Sequence, residues 1–177
     1  MTDAPVGIAS DQLGATISAQ GAELWSLRDA QGRELMTDAD PRWWTGHAPL
    51  LFPFVGRSRG DAYRLDGRDY AMPQHGFARR STFALVERSD SAATFRLEAD
   101  AASLLVYPFA FRLDMGFAIE GARLCMTATV TNRGEAVMPF SFGYHPAFAW
   151  PLPYGGALED HRIIFEKPEP APIRKVG

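Results

Sequence analysis

Apolar and polar residues alternate with a period of two through most of this chain. The longest run sets Phe109, Phe111, Leu113, Met115, Phe117 and Ile119 on one side of an extended segment. It turns at Glu120-Gly121 and returns through Leu124, Met126, Ala128 and Val130, closed by Asn132-Arg133-Gly134. Successive side chains of a strand point to opposite faces, so this pattern predicts two half-buried strands in a hairpin. Ala62 to Leu65 and Arg68 to Ala71 flank Asp66-Gly67, a strong signal for a second hairpin. Phe83-Ala84-Leu85-Val86 and Thr94-Phe95-Arg96-Leu97 flank the polar turn Ser89-Asp90-Ser91. Thr16 to Gln20 and Glu23 to Leu27 read as two strand pieces joined at Gly21, where a bulge is expected. Asp29-Ala30-Gln31-Gly32 makes a turn before Glu34-Leu35-Met36.

Helical stripes are scarce. Short helical turns are expected only at Pro41-Arg42-Trp43-Trp44 and at Ala101 to Leu105. Arg162-Ile163-Ile164-Phe165-Glu166 reads as one more strand, after which Pro168, Pro170 and Pro172 break regular structure. Many short strands bounded by turn residues predict an all-β fold, a sandwich or barrel, in a single domain over residues 1–177.

Composition narrows the function classes. Hydrophobic residues make up 46% and charged residues 22%, which is ordinary for a globular protein with a real core. The net charge of -3 gives no reason to expect nucleic acid or an anionic membrane as partner. No apolar run is long enough to span a bilayer, and the first residues carry no basic-then-apolar signal pattern. Cys125 is the only cysteine, so no disulfide forms within the chain; on an alternating strand it reads as a buried small hydrophobe. A cytoplasmic setting fits these features.

Three segments carry candidate chemistry. His75 lies in Pro73-Gln74-His75-Gly76-Phe77-Ala78-Arg79, where proline fixes the entry angle and glycine permits close backbone approach. His145 lies in Phe142-Gly143-Tyr144-His145-Pro146-Ala147-Phe148, among flat apolar rings that include Tyr144, Phe148 and Trp150. Imidazole exchanges protons near neutral pH without special tuning, and aromatic faces suit the C–H surface of a sugar ring. The plainer alternative is a pair of packed loop histidines. Arg57, between Gly56 and Gly60, could reach ligand hydroxyls through its fork of donors, or form a surface ion pair with Asp61. The four histidines are far apart in sequence and no Cys cluster or His-Glu-x-x-His pattern accompanies them, so no metal is expected. Neither a hydrolase Gly-x-Ser-x-Gly nor a dinucleotide fingerprint occurs.

In order, Gly21-Ala22-Glu23-Leu24, Leu51-Phe52-Pro53-Phe54-Val55-Gly56-Arg57, His75-Gly76-Phe77-Ala78-Arg79 and His145-Pro146-Ala147-Phe148 resemble the aldose 1-epimerase, or mutarotase-like, family. The bacterial LacX-like branch is the nearest in pattern, and the similarity runs from about residue 10 to the end of the chain. The resemblance implies a galactose mutarotase-like β-sandwich that interconverts the α and β anomers of a free aldose without metal or organic cofactor. It implies that His145 is the general acid on the ring oxygen and that His75 hydrogen-bonds the sugar. Arg57, Arg79, Tyr144 and Phe148 are the candidate substrate-binding residues.

The family's base is a glutamate in a C-terminal section, and its members are markedly longer. Glu159, Asp160, Glu166 and Glu169 are not in the matching context, and the sandwich is expected to be incomplete at its C-terminus. Ala149 stands where many relatives carry asparagine. Three rivals follow: a non-catalytic carbohydrate-binding remnant, a hexose 6-phosphate epimerase using Arg57, Arg59, Arg79 and Arg80, and a homodimer that covers an open edge.

Overall fold

A computed structural model describes residues 4–168 and 170. Its elements are almost all strands. β1 (Val6–Ala9), β2 (Leu13–Ser18) and β3 (Glu23–Asp29) form one antiparallel sheet in the order β1-β2-β3. β4 (Leu50–Leu51) is short and pairs late in the chain. β5 (Ala62–Leu65) and β6 (Arg68–Ala71) are a tight hairpin. Asp66 and Gly67 both take positive φ, 48° and 80°, as a two-residue turn of this hand requires.

β7 (Ala84–Arg88), β8 (Ala92–Glu98), β9 (Phe111–Glu120) and β10 (Arg123–Asn132) form the larger sheet in the order β10-β9-β8-β7. α1 (Ala101–Val106) links β8 to β9. Asp100 caps it by accepting the Ser103 N–H at 2.7 Å, while Ser103 Oγ accepts the Asp100 N–H at 2.9 Å. β11 (Gly143–Tyr144) returns to pair antiparallel with β4.

The alternation on β9 is the backbone of the core. Phe111, Leu113, Met115, Phe117 and Ile119 are all buried, and each such side chain is worth about 1.5–3 kcal/mol relative to exposure. They join Ile8, Ile17 and Leu24 of the smaller sheet in one buried cluster, so the two sheets share a core. At one end of it Phe52, Phe77, Tyr107 and Phe111 meet ring to ring at 5.2–6.3 Å. Tyr107 is fully buried, and its hydroxyl donates to the Pro139 carbonyl at 2.9 Å, so the burial leaves no orphan donor. This aromatic end seats the loops that carry the histidines.

Three expectations change. Arg162 to Glu166 forms no strand, although the segment is apolar, and Ile163, Ile164 and Phe165 are exposed. Among the described residues no strand lies beside it, and β propensity alone does not order a segment. The bulge in the first sheet lies at Trp25, because Thr16 pairs with Ser26 and Ile17 with Leu24; Gly21 instead sits in the β2–β3 turn. Cys125 is exposed, since it shares a face of β10 with Arg123, Thr127 and Thr129 while Leu124 and Met126 turn inward. Of the other positions named above, Glu169 and Pro172 lie outside the described residues.

Candidate functional site

Two long-range pairings bring the histidine loops together. β11 lies on β4 with Gly143 opposite Leu51 and Tyr144 opposite Leu50, so His145 leaves the sheet beside the start of β4. On the far side of β4, the 73–78 loop is strapped to residues 52–56. The Phe77 and Ala78 N–H groups both donate to the Phe52 carbonyl, at 3.1 and 3.2 Å, and the His75 N–H donates to the Gly56 carbonyl at 2.8 Å. The rings of His75 and His145 therefore lie 6.1 Å apart, centre to centre, inclined at 44°.

Gly76 makes that strap close. It takes φ 73°, and a Cβ there would stand 2.1 Å from the Phe52 carbonyl oxygen, so no other residue fits without displacing the backbone. His75 itself holds φ 67°, a conformation costing L-residues about 1–2 kcal/mol. Its Nδ1 accepts the Gly56 N–H at 3.0 Å. A nitrogen that accepts carries no proton, so the ring is neutral and its hydrogen sits on Nε2. Burial first, then the charge of Arg79 and the neighbouring His145, lowers the His75 pKa and favours that neutral form. The proton is thereby left on Nε2, which stands 3.3 Å from the Gln74 side-chain amide, a group that accepts it only with its oxygen turned inward.

His145 is exposed, with the Trp44 indole 5.0 Å from its ring at 51°. Trp44 is the site residue that sequence reasoning missed. The signal available was a tandem Trp43-Trp44 in a turn, followed by Gly46. Glycine at 46 lets the indole lie down, because a Cβ there would meet it at 2.6 Å. Glu23 anchors the following residues by accepting the N–H groups of His47 and Ala48 at 2.8 and 2.9 Å. The His145 loop is held in turn: the Ala147 N–H donates to the His47 carbonyl at 2.8 Å, and the Thr37 N–H to the Ala147 carbonyl at 3.0 Å.

The remaining sequence candidates divide. Arg79 packs against the His75 loop, donating from Nη2 to the Gln74 carbonyl at 3.1 Å. Arg57 is engaged by Asp61 through two bonds of 2.7 Å, the ion pair that was its plainer reading. Arg57, Asp61, Gln74, Arg79 and Arg80 line a cavity of about 440 Å³. Tyr144 faces away from His145, as neighbours on an extended segment do; its hydroxyl donates to the Met126 carbonyl on β10 at 3.1 Å. Phe148 is 49% exposed where the chain bridges to Met36. Among the described residues, no carboxylate hydrogen-bonds either imidazole of the pair.

The arrangement brings together the Nε2 edge of His75 with its Gln74 neighbour, the exposed His145 imidazole and the Trp44 indole. Such a site suits a small polar ring with one apolar face.

Comparison with known proteins places the chain in a family. The family model described as aldose 1-epimerase matches residues 6–175. The chromosomal LacX protein of Lactococcus lactis subsp. lactis is 33% identical over 96% of this chain, which spans 59% of that relative. A galactose mutarotase related enzyme from Lactobacillus acidophilus superposes with a TM-score of 0.83 at 34% identity, covering 87% of this chain and 52% of its own. A galactose mutarotase-like protein from Lactobacillus casei ATCC 334 superposes at 0.80 with 40% identity, covering 82% of this chain and 50% of its own. The chain belongs to the aldose 1-epimerase family, and its all-β architecture is the galactose mutarotase-like sandwich. It spans between half and three-fifths of the length of these relatives.

Proposed function

We propose that the His75–His145 site binds a free aldose and exchanges its anomers. The observation that carries this is the 6.1 Å pairing of a neutral, Nε2-protonated His75 with an exposed His145. In mutarotation the anomeric hydroxyl loses a proton, the ring oxygen gains one, the C1–O5 bond breaks, and the aldehyde rotates before the ring closes. His145 delivers the proton to the ring oxygen as general acid, and His75 donates a hydrogen bond to the same oxygen. Positioned acids and bases each contribute a rate factor of roughly 100 to 10,000. Trp44 offers its face to the sugar C–H surface, Arg79 flanks the His75 loop, and Arg57 reaches hydroxyls once it shares its fork with Asp61. The base that takes the anomeric proton is a glutamate carboxylate in the family pattern.

A second reading, a hexose 6-phosphate as substrate, is favoured by one observation: three guanidinium groups and one carboxylate line the cavity beside His75. We place the protein in the cytosol, where a lone cysteine stays reduced.

The test is NMR exchange spectroscopy on glucose, galactose and glucose 6-phosphate. Exchange well above the buffer rate, lost in His145→Ala, supports the proposal; a strong preference for the phosphorylated sugar selects the second reading. No exchange from a folded sample that still binds sugar leaves a carbohydrate-binding module and overturns the catalytic role.

A further inference from the structure

A larger cavity, about 880 Å³, opens on the outer face of β1, β2 and β3, and none of the residues that line it belongs to the histidine pair. That volume lies within the roughly 300–1,000 Å³ of small-molecule sites. We propose that it is a second saccharide site, for a neutral sugar, separate from the His75–His145 site.

The bulge builds it. Trp25 is the extra residue of β3 between the Thr16–Ser26 and Ile17–Leu24 pairs. A bulge re-aims the side chain it carries, and this indole is left 42% exposed along the groove. Gly7 and Gly14 form an open floor, for a Cβ at either would meet nothing within 4 Å. The indole thus stands as a flat apolar wall above a shallow, unobstructed bed.

Polar groups with bonding capacity to spare surround that wall. His47 packs 6.1 Å from the Trp25 ring, and its Nδ1 lies 3.2 Å from the Thr37 carbonyl. A carbonyl only accepts, so Nδ1 carries the proton and Nε2 is an acceptor in the neutral ring. Arg28 uses Nε on Glu34 at 3.1 Å, while its side chain stays 62% exposed, leaving the two terminal nitrogens for a ligand. Asp38 lines the same groove. Donors and acceptors side by side match vicinal hydroxyls, which are both.

Charge decides the class of sugar. Arg28 and Arg88 line the groove together with Glu34, Asp38 and Asp90, two cations with three anions, and Arg28 is already paired with Glu34. No net positive field favours a phosphate or a uronic acid there, in contrast to the arginine cavity beside His75. The ligand that fits is uncharged.

The probes are methyl β-galactoside and methyl α-glucoside, whose blocked anomeric centres cannot undergo exchange, together with lactose. In a ¹H–¹⁵N titration the Trp25 indole N–H and the Thr16 amide shift with added sugar. Trp25→Ala weakens binding at least tenfold while leaving anomer exchange of glucose unchanged, since Trp25 is not part of the histidine site. Absence of shifts up to about 100 mM sugar, well beyond the millimolar range of weak specific binding, overturns the proposal. So do shifts confined to Trp44, His75 and His145, or a sugar-dependent Thr16 shift that survives Trp25→Ala unchanged. A folded wild type that binds methyl glycosides at Trp25 but exchanges no anomers keeps this site and removes the catalytic reading, so the two failures are distinguishable.

Discussion

Gly56 gives its backbone N–H to Nδ1 of His75 and takes the His75 N–H on its own carbonyl, at 3.0 and 2.8 Å. This reciprocal pair fixes both the backbone and the tautomer of one catalytic candidate. It explains how a residue at positive φ is tolerated in a loop: two hydrogen bonds, worth about 0.5–1.5 kcal/mol each, offset the strain.

The strap itself predicts a large stability effect. Gly76→Ala adds a Cβ 2.1 Å from the Phe52 carbonyl oxygen at φ 73°. We expect a loss of at least about 2 kcal/mol, seen as a lower urea midpoint. Gly67→Ala, at φ 80° but with open space around it, is the control and costs only about 1–2 kcal/mol.

His145 is exposed and its ring meets only the edge of the fold at Trp44 and His75, so His145→Ala changes unfolding free energy by about 1 kcal/mol or less. Anomer exchange falls by roughly 100- to 10,000-fold. A parallel loss of stability and activity would assign it a structural role.

The depressed pKa of His75 gives a signed pH dependence. Below the unfolded-state value of about 6.5 the unfolded chain binds a proton that the folded chain resists. Stability from this group is complete above that value and is lost as pH falls through the folded pKa. His75→Asn keeps a residue type that accepts positive φ. Its unfolding free energy, compared with wild type by urea titration from pH 7.5 down to 5, loses this part of the slope.

Arg57→Ala separates recognition from stability. The Arg57–Asp61 pair is exposed, 65% and 43% for the two side chains, and such pairs contribute about 0–1 kcal/mol. Melting therefore shifts little, while sugar affinity drops roughly tenfold if the guanidinium bonds a hydroxyl. Equal affinity in the variant would leave Arg57 as a surface ion pair.

Cys125, on the solvent face of β10, reacts with a thiol reagent in the native protein without prior unfolding. Protection until unfolding would contradict the placement.

Much of the fold was legible because it rests on local signals. The β9–β10 alternation and the Asp66-Gly67 turn lie within single hairpins, and both appear where the pattern puts them. The Cys125 reading failed on the face rather than the strand, although the inward Leu124 and Met126 on either side already marked residue 125 as outward. Arg162 to Glu166 carries β propensity but no pairing partner among the described residues, and pairing is non-local information. At the site, the two histidines were visible as motifs, but their meeting depends on β11 finding β4. The tandem Trp43-Trp44 marked an unusual turn, but only that closure brings His145 to Trp44 and makes it a site residue. The role of Tyr144 reads differently in three dimensions, since the same strand that aims His145 one way aims its neighbour at β10.

The central claim is that His75 and His145 address one sugar molecule, and imidazole ¹⁵N NMR during a glucose or galactose titration tests it most directly. We expect free His75 to show a protonated Nε2 and a bare Nδ1, and both residues' ring nitrogens to shift along one binding curve. Shifts at neither ring, or at one alone, or a His75 protonated on Nδ1, would contradict the account.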